Sequence, residues 1–303
     1  MASAQKSPSA LTTPAAIRRM VNDAMKRAMD PSFMRQQCMK HSVSLFLWTS
    51  FLTSTALVYF TLSNNSFSFL LVLSSLISAF GFIMVTVKVL MARSVAGVSL
   101  KMMEIYLAVH LLRLYAIVPY DGYLPVDATG DWFYQCVEGV SCLCAFLIIF
   151  FCRGAFRNTY DSSVDSTSQL MLVIPAIVMA YFFHPRLNRH EPSDIAWALS
   201  VYLEAVAYLP QLFLFRRAYL AQPFLSHFMA GQALSKVISY VFWQKVALQL
   251  NQLKDIFSPT VGVFVLGVQL VQVCIMAYFC YHYLRCLAKG RPLKFIFNFG
   301  EEV

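Results

Sequence analysis

Charge is scarce in this chain, and the scarcity excludes whole classes of function. Only 13% of its residues are Asp, Glu, Lys or Arg, against about 25% in a typical soluble domain. From Ile256 to Cys280 there is no charged side chain, and ~20 mostly apolar residues suffice to cross a bilayer. A soluble globular enzyme is therefore excluded. The chain also lacks a carboxylate pair, a nucleophile motif and a glycine-rich phosphate loop, so no catalysis and no cofactor are expected. Metal and redox motifs are missing too: Cys142-Leu143-Cys144 lacks the two-residue spacing of a knuckle. Cys136, Cys152, Cys274, Cys280 and Cys286 lie in or at the ends of apolar stretches and read as packing thiols. No apolar core follows Met1, so no cleaved signal peptide is expected.

What is present is apolar and arranged in long blocks. Eight candidate spans can be read, roughly 43–63, 67–91, 100–119, 132–152, 168–184, 194–215, 224–244 and 259–284. They are continuously apolar and too long for the alternating strands of a barrel, so an all-α membrane protein with eight transmembrane helices is predicted. The formal charge of +9 is then a topology signal, because Lys and Arg favour cytoplasmic loops. It does not point to nucleic acid. With a cytosolic N-terminus, the cytosolic side receives Arg93, Lys101, Arg153, Arg157, Arg216 and Arg217, and the C-terminal Arg285, Lys289, Arg291 and Lys294. The other side receives Arg186, Arg189, Lys245 and Lys254, together with the acidic Asp121, Asp127 and Asp131. Both termini are predicted cytosolic.

Residues 1–41 form a basic tail. Thr13 can cap a helix opening on Pro14. Ile17, Met20, Val21, Ala24 and Met25 then recur at helical spacing among Arg18, Arg19, Lys26 and Arg27. The tail is either an amphipathic helix on an anionic leaflet or a solubilising extension. Asn64-Asn65-Ser66 matches a glycosylation sequon but falls in a very short turn, and is expected to be silent. An internal repeat is also visible. Each of the spans 67–91 and 194–215 is followed by a basic turn and a serine-bearing start to the next span. Parallel repeats of this kind occur in transporters.

Two charges sit inside apolar stretches: Arg113 and Glu204. A charge at the bilayer centre costs ~2.5–3.5 kcal/mol on insertion scales and faces a cavity or a partner. Arg113 reads as an anion clamp or as one half of a structural ion pair with Glu204 or Glu138. Lys236 can complete a cationic pocket or snorkel to an interface. His110, three residues before Arg113, is a titrating candidate or a packing histidine. His184 and His227 are expected to bond locally. Pro210 removes one helical hydrogen bond and, with Gln211, is a candidate hinge.

The stretch from Trp197 through Tyr202-Leu203-Glu204-Ala205-Val206-Ala207-Tyr208-Leu209-Pro210-Gln211-Leu212 resembles the ER lumen protein retaining receptors, the KDEL receptor family. That family carries a Trp followed by Tyr-Leu-Glu-x-Val-Ala-x-Leu-Pro-Gln-Leu in its fifth helix. Arg93-Ser94-Val95-Ala96-Gly97-Val98-Ser99, Thr159-Tyr160-Asp161 and Val173-Ile174-Pro175 resemble other family segments in order. Gln222-Pro223-Phe224-Leu225-Ser226-His227-Phe228 resembles the receptor-like branch known from plants, which also has an N-terminal extension. The resemblance covers about residues 67–293. It implies seven helices as two three-helix bundles plus a linker helix, shared with sugar-efflux and Pro-Gln-loop carriers. The chain then divides into a tail (1–41), an added transmembrane helix (42–66), the receptor-like domain (67–286) and a C-terminal tail (287–303).

The function implied is a receptor of the ER and Golgi membranes. It binds C-terminal tetrapeptides of soluble ER proteins and retrieves them in coated vesicles, with Lys289, Arg291 and Lys294 as coat-binding candidates. Arg113 falls on a carboxylate-binding arginine, Glu204 on a glutamate of proton-linked locking, Lys236 on a family arginine, and Trp197 and Trp243 on tryptophans. Other positions depart from the family. Leu71 stands for an arginine, Ser78 for the pH-sensing histidine and Ala116 for the aspartate that meets the ligand's lysine. Ser235 and Ser239 replace a tyrosine pair, Phe242 an asparagine, Val246 an arginine and Tyr278 an aspartate. The alternatives are a small-solute carrier of the sugar-efflux or Pro-Gln-loop type and a trafficking adaptor acting through its tails.

Overall fold

The computed structural model describes residues 42–62, 69–120, 123–124, 131–188, 190–218, 221–250, 259–289, 293 and 296–297. The N-terminal tail, the sequon, Arg291 and Lys294 lie outside the described residues. The first compact unit, residues 1–54, contributes the start of helix α1 (Ser42–Leu62). The second, residues 55–303, holds the rest: α2 (Phe69–Ala92), α3 (Leu100–Ile117), α4 (Asp131–Arg153), α5 (Leu170–Phe182), α6 (Glu191–Val206), α7 (Leu209–Ala218), α8 (Pro223–Leu250) and α9 (Pro259–Ala288). Among the described residues there is no strand. Among the described residues four segments are long and apolar enough to cross a membrane: Phe69–Ala92, Asp131–Arg153, Glu191–Ala218 and Phe264–Ala288.

The stretch read as one span over 194–215 is broken. Pro210 has no N–H to offer the carbonyl one turn back, and the helix lapses into a turn at Ala207 and Tyr208 before α7 begins. Helix α4 packs against both α2 and α3, and α9 packs against both α8 and α6. Across the molecule α2 lies on α8 and α3 on α6, while α5 leans on α6.

The α2–α3 turn is tied down by side chains from distant elements. Gly97 adopts φ +80, a left-handed conformation in which a side chain is strained. A Cβ there would also lie 2.7 Å from Gln222 Cγ. The Gln211 amide donates to the Gly97 carbonyl at 2.8 Å and accepts from the Ser99 backbone at 2.9 Å. Ser99 caps α3 by accepting from the Met102 N–H, and its hydroxyl donates to Asp165 at 2.8 Å. Asp165 also accepts from Tyr160 Oη at 2.8 Å and from the Lys101 backbone N–H at 3.3 Å. Burial and the Asp165 hydrogen bond push the Tyr160 phenol well above its ordinary range, so it stays a donor at physiological pH. The Val95 N–H donates to Thr159 Oγ1 at 2.9 Å. Glu104 pairs with Arg153 and accepts from the Gln169 amide at 2.5 Å.

The core beneath this knot is aromatic. Phe82, Tyr106, Tyr208, Phe215 and Phe279 are fully or almost fully buried. Phe82 meets Tyr106 and Phe228 edge to face at 5.1 and 5.2 Å, a preferred geometry for paired rings. Leu293 and Ile296 are buried in the same core, and Phe297 stacks on Tyr278 at 6.0 Å.

Candidate functional site

Ser99 begins α3 and Arg113 lies fourteen residues along it. At ~1.5 Å rise per residue the guanidinium therefore sits ~20 Å from the turn. There it joins a ladder of alternating charge. His110 Nδ1 lies 2.8 Å from Glu138 Oε2. Arg113 Nη1 donates to Glu138 Oε1 at 3.2 Å, and its Nη2 donates to Glu204 Oε2 at 2.7 Å. Lys236 Nζ donates to Glu204 Oε1 at 2.5 Å. The four ionic members come from α3, α4, α6 and α8, and all are buried. Helical spacing puts His110 and Arg113 on neighbouring turns, which lets both reach Glu138. Two carboxylates thus face two fixed cations. Burial on this scale is sustainable only because each charge has a partner.

Arg113 is an ion-pair partner of Glu138 and Glu204, and it also lines a cavity. Lys236 does not snorkel; it is buried and points at Glu204. The cavity holds about 40 Å³ of open space, room for a few water molecules. Arg113, Glu204, Lys236, Trp197 and Trp243 all line it. His110 does not line it and is linked to it only through Glu138 and Arg113. Its Nε2 has no hydrogen-bond partner among the described residues.

Sequence reasoning missed three contributors. Tyr123 stacks flat on Trp197 at 4.0 Å, the planes 8° apart. Its hydroxyl donates to Asp194 at 2.6 Å and lies 3.1 Å from the Pro185 carbonyl. Burial and Asp194 hold this phenol protonated, well above its ordinary range. Gln269 lines the cavity from α9. Gln232 spans the α2–α8 seam: Ser78 Oγ donates to its carbonyl at 2.8 Å and its amide donates to the Ser78 carbonyl at 2.9 Å. No spacing rule marks any of these as functional.

Several substituted positions are structural. Ser235 Oγ donates to the Ser74 carbonyl at 2.7 Å. Leu71 and Ser239 line the cavity, and Ala116 is fully buried. Pro210 and Gln211 are buried, and Gln211 serves the α2–α3 turn, far from the cavity. Lys289 is exposed just beyond α9. His184 bonds the Ala180 and Tyr181 carbonyls at 3.2 and 3.1 Å, and His227 meets the Tyr283 hydroxyl at 2.8 Å. No group of three metal ligands forms among the described residues.

The sequence profile of ER lumen protein retaining receptors matches residues 94–245, half of the chain and the whole of the Arg113–Glu204–Lys236 ladder. The chain belongs to the ER lumen protein retaining receptor family. ER lumen protein-retaining receptor 3 of Mus musculus is 26% identical over 224 residues, covering 74% of this chain and 95% of the mouse protein. Receptor 2 of Danio rerio is 26% identical over 213 residues, or 70% and 91% of the two chains. The Caenorhabditis elegans receptor erd-2.2 is 25% identical over 210 residues, or 69% and 89%. The aligned region is nearly the full length of each relative.

Proposed function

We propose that this protein is a receptor for ER retention signals, binding C-terminal tetrapeptides of soluble ER proteins and retrieving them from Golgi to ER. The observation that carries the reading is the convergence of Arg113, Lys236 and Glu204 on one cavity flanked by Trp197 and Trp243. A guanidinium binds a carboxylate in fork geometry. Arg113 now gives one nitrogen to each of two glutamates. A peptide's terminal carboxylate would take over one of those bonds, and Lys236 would share the charge. The relatives' names favour this reading over a solute carrier.

The peptide preferred here differs from the family's. Ala116 offers a ligand's basic side chain no carboxylate, and Leu71 offers a ligand's carboxylate no cation. Ser78 and Gln232 form a neutral pair where the family has a titrating histidine. The titrating candidate on this chain is His110, acting through Glu138. The 40 Å³ space is too small for four residues, so binding requires the helices to part. The α6–α7 break at Pro210 is the hinge we assign to that motion.

The wider architecture follows from the same reading. The contacts of α4 with α2 and α3, and of α9 with α8 and α6, support two three-helix bundles joined by α5, as in sugar-efflux and Pro-Gln-loop proteins. Residues 67–286 form that receptor domain, and 42–66 add an eighth transmembrane helix in front of it. Both termini (1–41 and 287–303) are cytosolic by charge. Lys289, Arg291 and Lys294 recruit vesicle coat.

The test is equilibrium binding of free-carboxylate tetrapeptides to the purified chain at about pH 5.5 and about pH 7.4. C-terminally amidated copies and Arg113→Ala serve as controls. Binding that disappears on amidation supports the proposal. No binding at either pH defeats it.

A further inference from the structure

Among the described residues four glutamines are buried, and three are employed. Gln211 ties the α2–α3 turn, Gln232 pairs with Ser78, and Gln272 donates to the Glu204 carbonyl at 3.1 Å. The fourth, Gln269, sits on α9 one turn before Gln272. It is 6% exposed and lines the cavity, and its Oε1 has no hydrogen-bond partner among the described residues. A buried amide carbonyl without a donor is destabilising, and folds rarely keep one without a use. The same cavity wall carries the cations that would hold a carboxylate and the tryptophans that would flank a chain. What it lacks is a donor for Gln269.

We propose that Gln269 reads the ligand: its side-chain carbonyl accepts one backbone N–H of a peptide whose terminal carboxylate is held by Arg113 and Lys236. The proposal rests on the receptor reading above and adds the contact that orients the chain. A carboxylate alone fixes one end of a peptide and leaves its direction open. A second contact to a backbone amide sets which way the chain runs between Trp197 and Trp243. Because every peptide bond not preceding proline carries an N–H, the contact selects for peptide over other carboxylates without choosing among side chains. The predicted exception is a ligand with proline or an N-methyl group at that position.

The experiment uses the full chain in detergent and the tightest binder from a free-carboxylate tetrapeptide library. Each backbone N–H of that peptide is methylated in turn. In the unaltered protein one methylation is expected to weaken binding about tenfold, the size of one lost hydrogen bond to a buried acceptor. Gln269→Leu should weaken the parent peptide by a similar factor and show no further loss on that methylation. Gln269→Glu keeps an acceptor and should keep the methylation penalty. Without peptide, Gln269→Leu should melt at or above the temperature of the unaltered protein, because it removes an acceptor that has no partner. A methylation penalty that persists in Gln269→Leu overturns the proposal and leaves the receptor reading standing. So does a Gln269→Leu protein that unfolds without ligand, since the amide would then be structural. If the unaltered protein binds no tetrapeptide at either pH, the receptor reading falls and this contact falls with it.

Discussion

Two polar networks sit at opposite ends of α3, and they are built on different terms. At the turn end, Asp165 accepts three hydrogen bonds and Gln211 uses both ends of its amide. Most of those partners are backbone groups, whose positions the fold already fixes. At the other end, five side chains from four helices hold one another. Among the described residues that network leaves His110 Nε2 without a partner, and Gln269 Oε1 beside the adjoining open space has none either. A fully satisfied network rigidifies a structure, whereas a partly satisfied one is costly unless something else completes it. The turn knot therefore fixes shape, and the ladder borders the open space where the receptor reading puts its ligand.

The strongest way to break this contrast is at Glu204. Replacing it by Leu leaves both Arg113 and Lys236 buried with a lost partner. Removing one member of a buried ionic network costs ~3–5 kcal/mol. Glu204→Leu is expected to collapse thermal stability in detergent, with Glu204→Gln milder because its carbonyl still accepts one bond. A melting temperature for Glu204→Leu within a few degrees of the unaltered protein would show that water already reaches the ladder.

Asp165→Ala attacks the other network. It strands Ser99 Oγ, the Lys101 N–H and Tyr160 Oη at once. The expected loss is ~2–3 kcal/mol of stability, with peptide affinity unchanged once the folded fraction is corrected for. If affinity falls instead, the two ends are coupled and the division of labour proposed here is wrong.

How much of this was legible in the sequence divides along the same line. Apolar blocks gave most helix bounds within a few residues, because the need to satisfy backbone groups in lipid leaves few choices, but not the break at Ala207–Tyr208 or the extension of α8 to Leu250. Arg113, Glu204 and Lys236 were legible because a charge in an apolar run stands out. The Trp197–Pro210–Gln211 stretch was legible only by resemblance. Glu138 was visible as a partner for Arg113, but its simultaneous grip on His110 depends on how α4 lies against α3. Tyr123, Gln232 and Gln269 were not legible at all. They are neutral residues at unremarkable spacings, and their roles arise from contacts over long sequence separations. Asp165 was invisible for the same reason: its partners lie 5 to 66 residues away.

Gly97 gives a smaller and sharper test of the turn knot. Its φ of +80 strains any side chain, and an added methyl would press on Gln222 Cγ. Gly97→Ala should cost ~1–3 kcal/mol by backbone strain, read as a lower melting temperature. Pairing it with Gln211→Leu should give less than the sum of the two losses, since both loosen the same turn. Simple additivity would mean that Gln211 does not hold Gly97 in place.

The smallest expected effect belongs to a third, neutral contact. Ser78 and Gln232 exchange two neutral hydrogen bonds across the α2–α8 seam, close in sequence to the cavity-lining Ser74 and Ser75. Interhelical hydrogen bonds of this type average ~0.6 kcal/mol in membrane proteins. Ser78→Ala should therefore lower stability only slightly. Neither serine nor glutamine titrates in the range where a histidine does, so the loss should be equal at about pH 5.5 and about pH 7.4. The seam holds no group that changes charge in this range. Were the Ser78→Ala loss to grow at one pH, protonation elsewhere in the protein would have to be altering helix separation at the seam. The seam would then open with the cavity rather than standing as a fixed wall beside it.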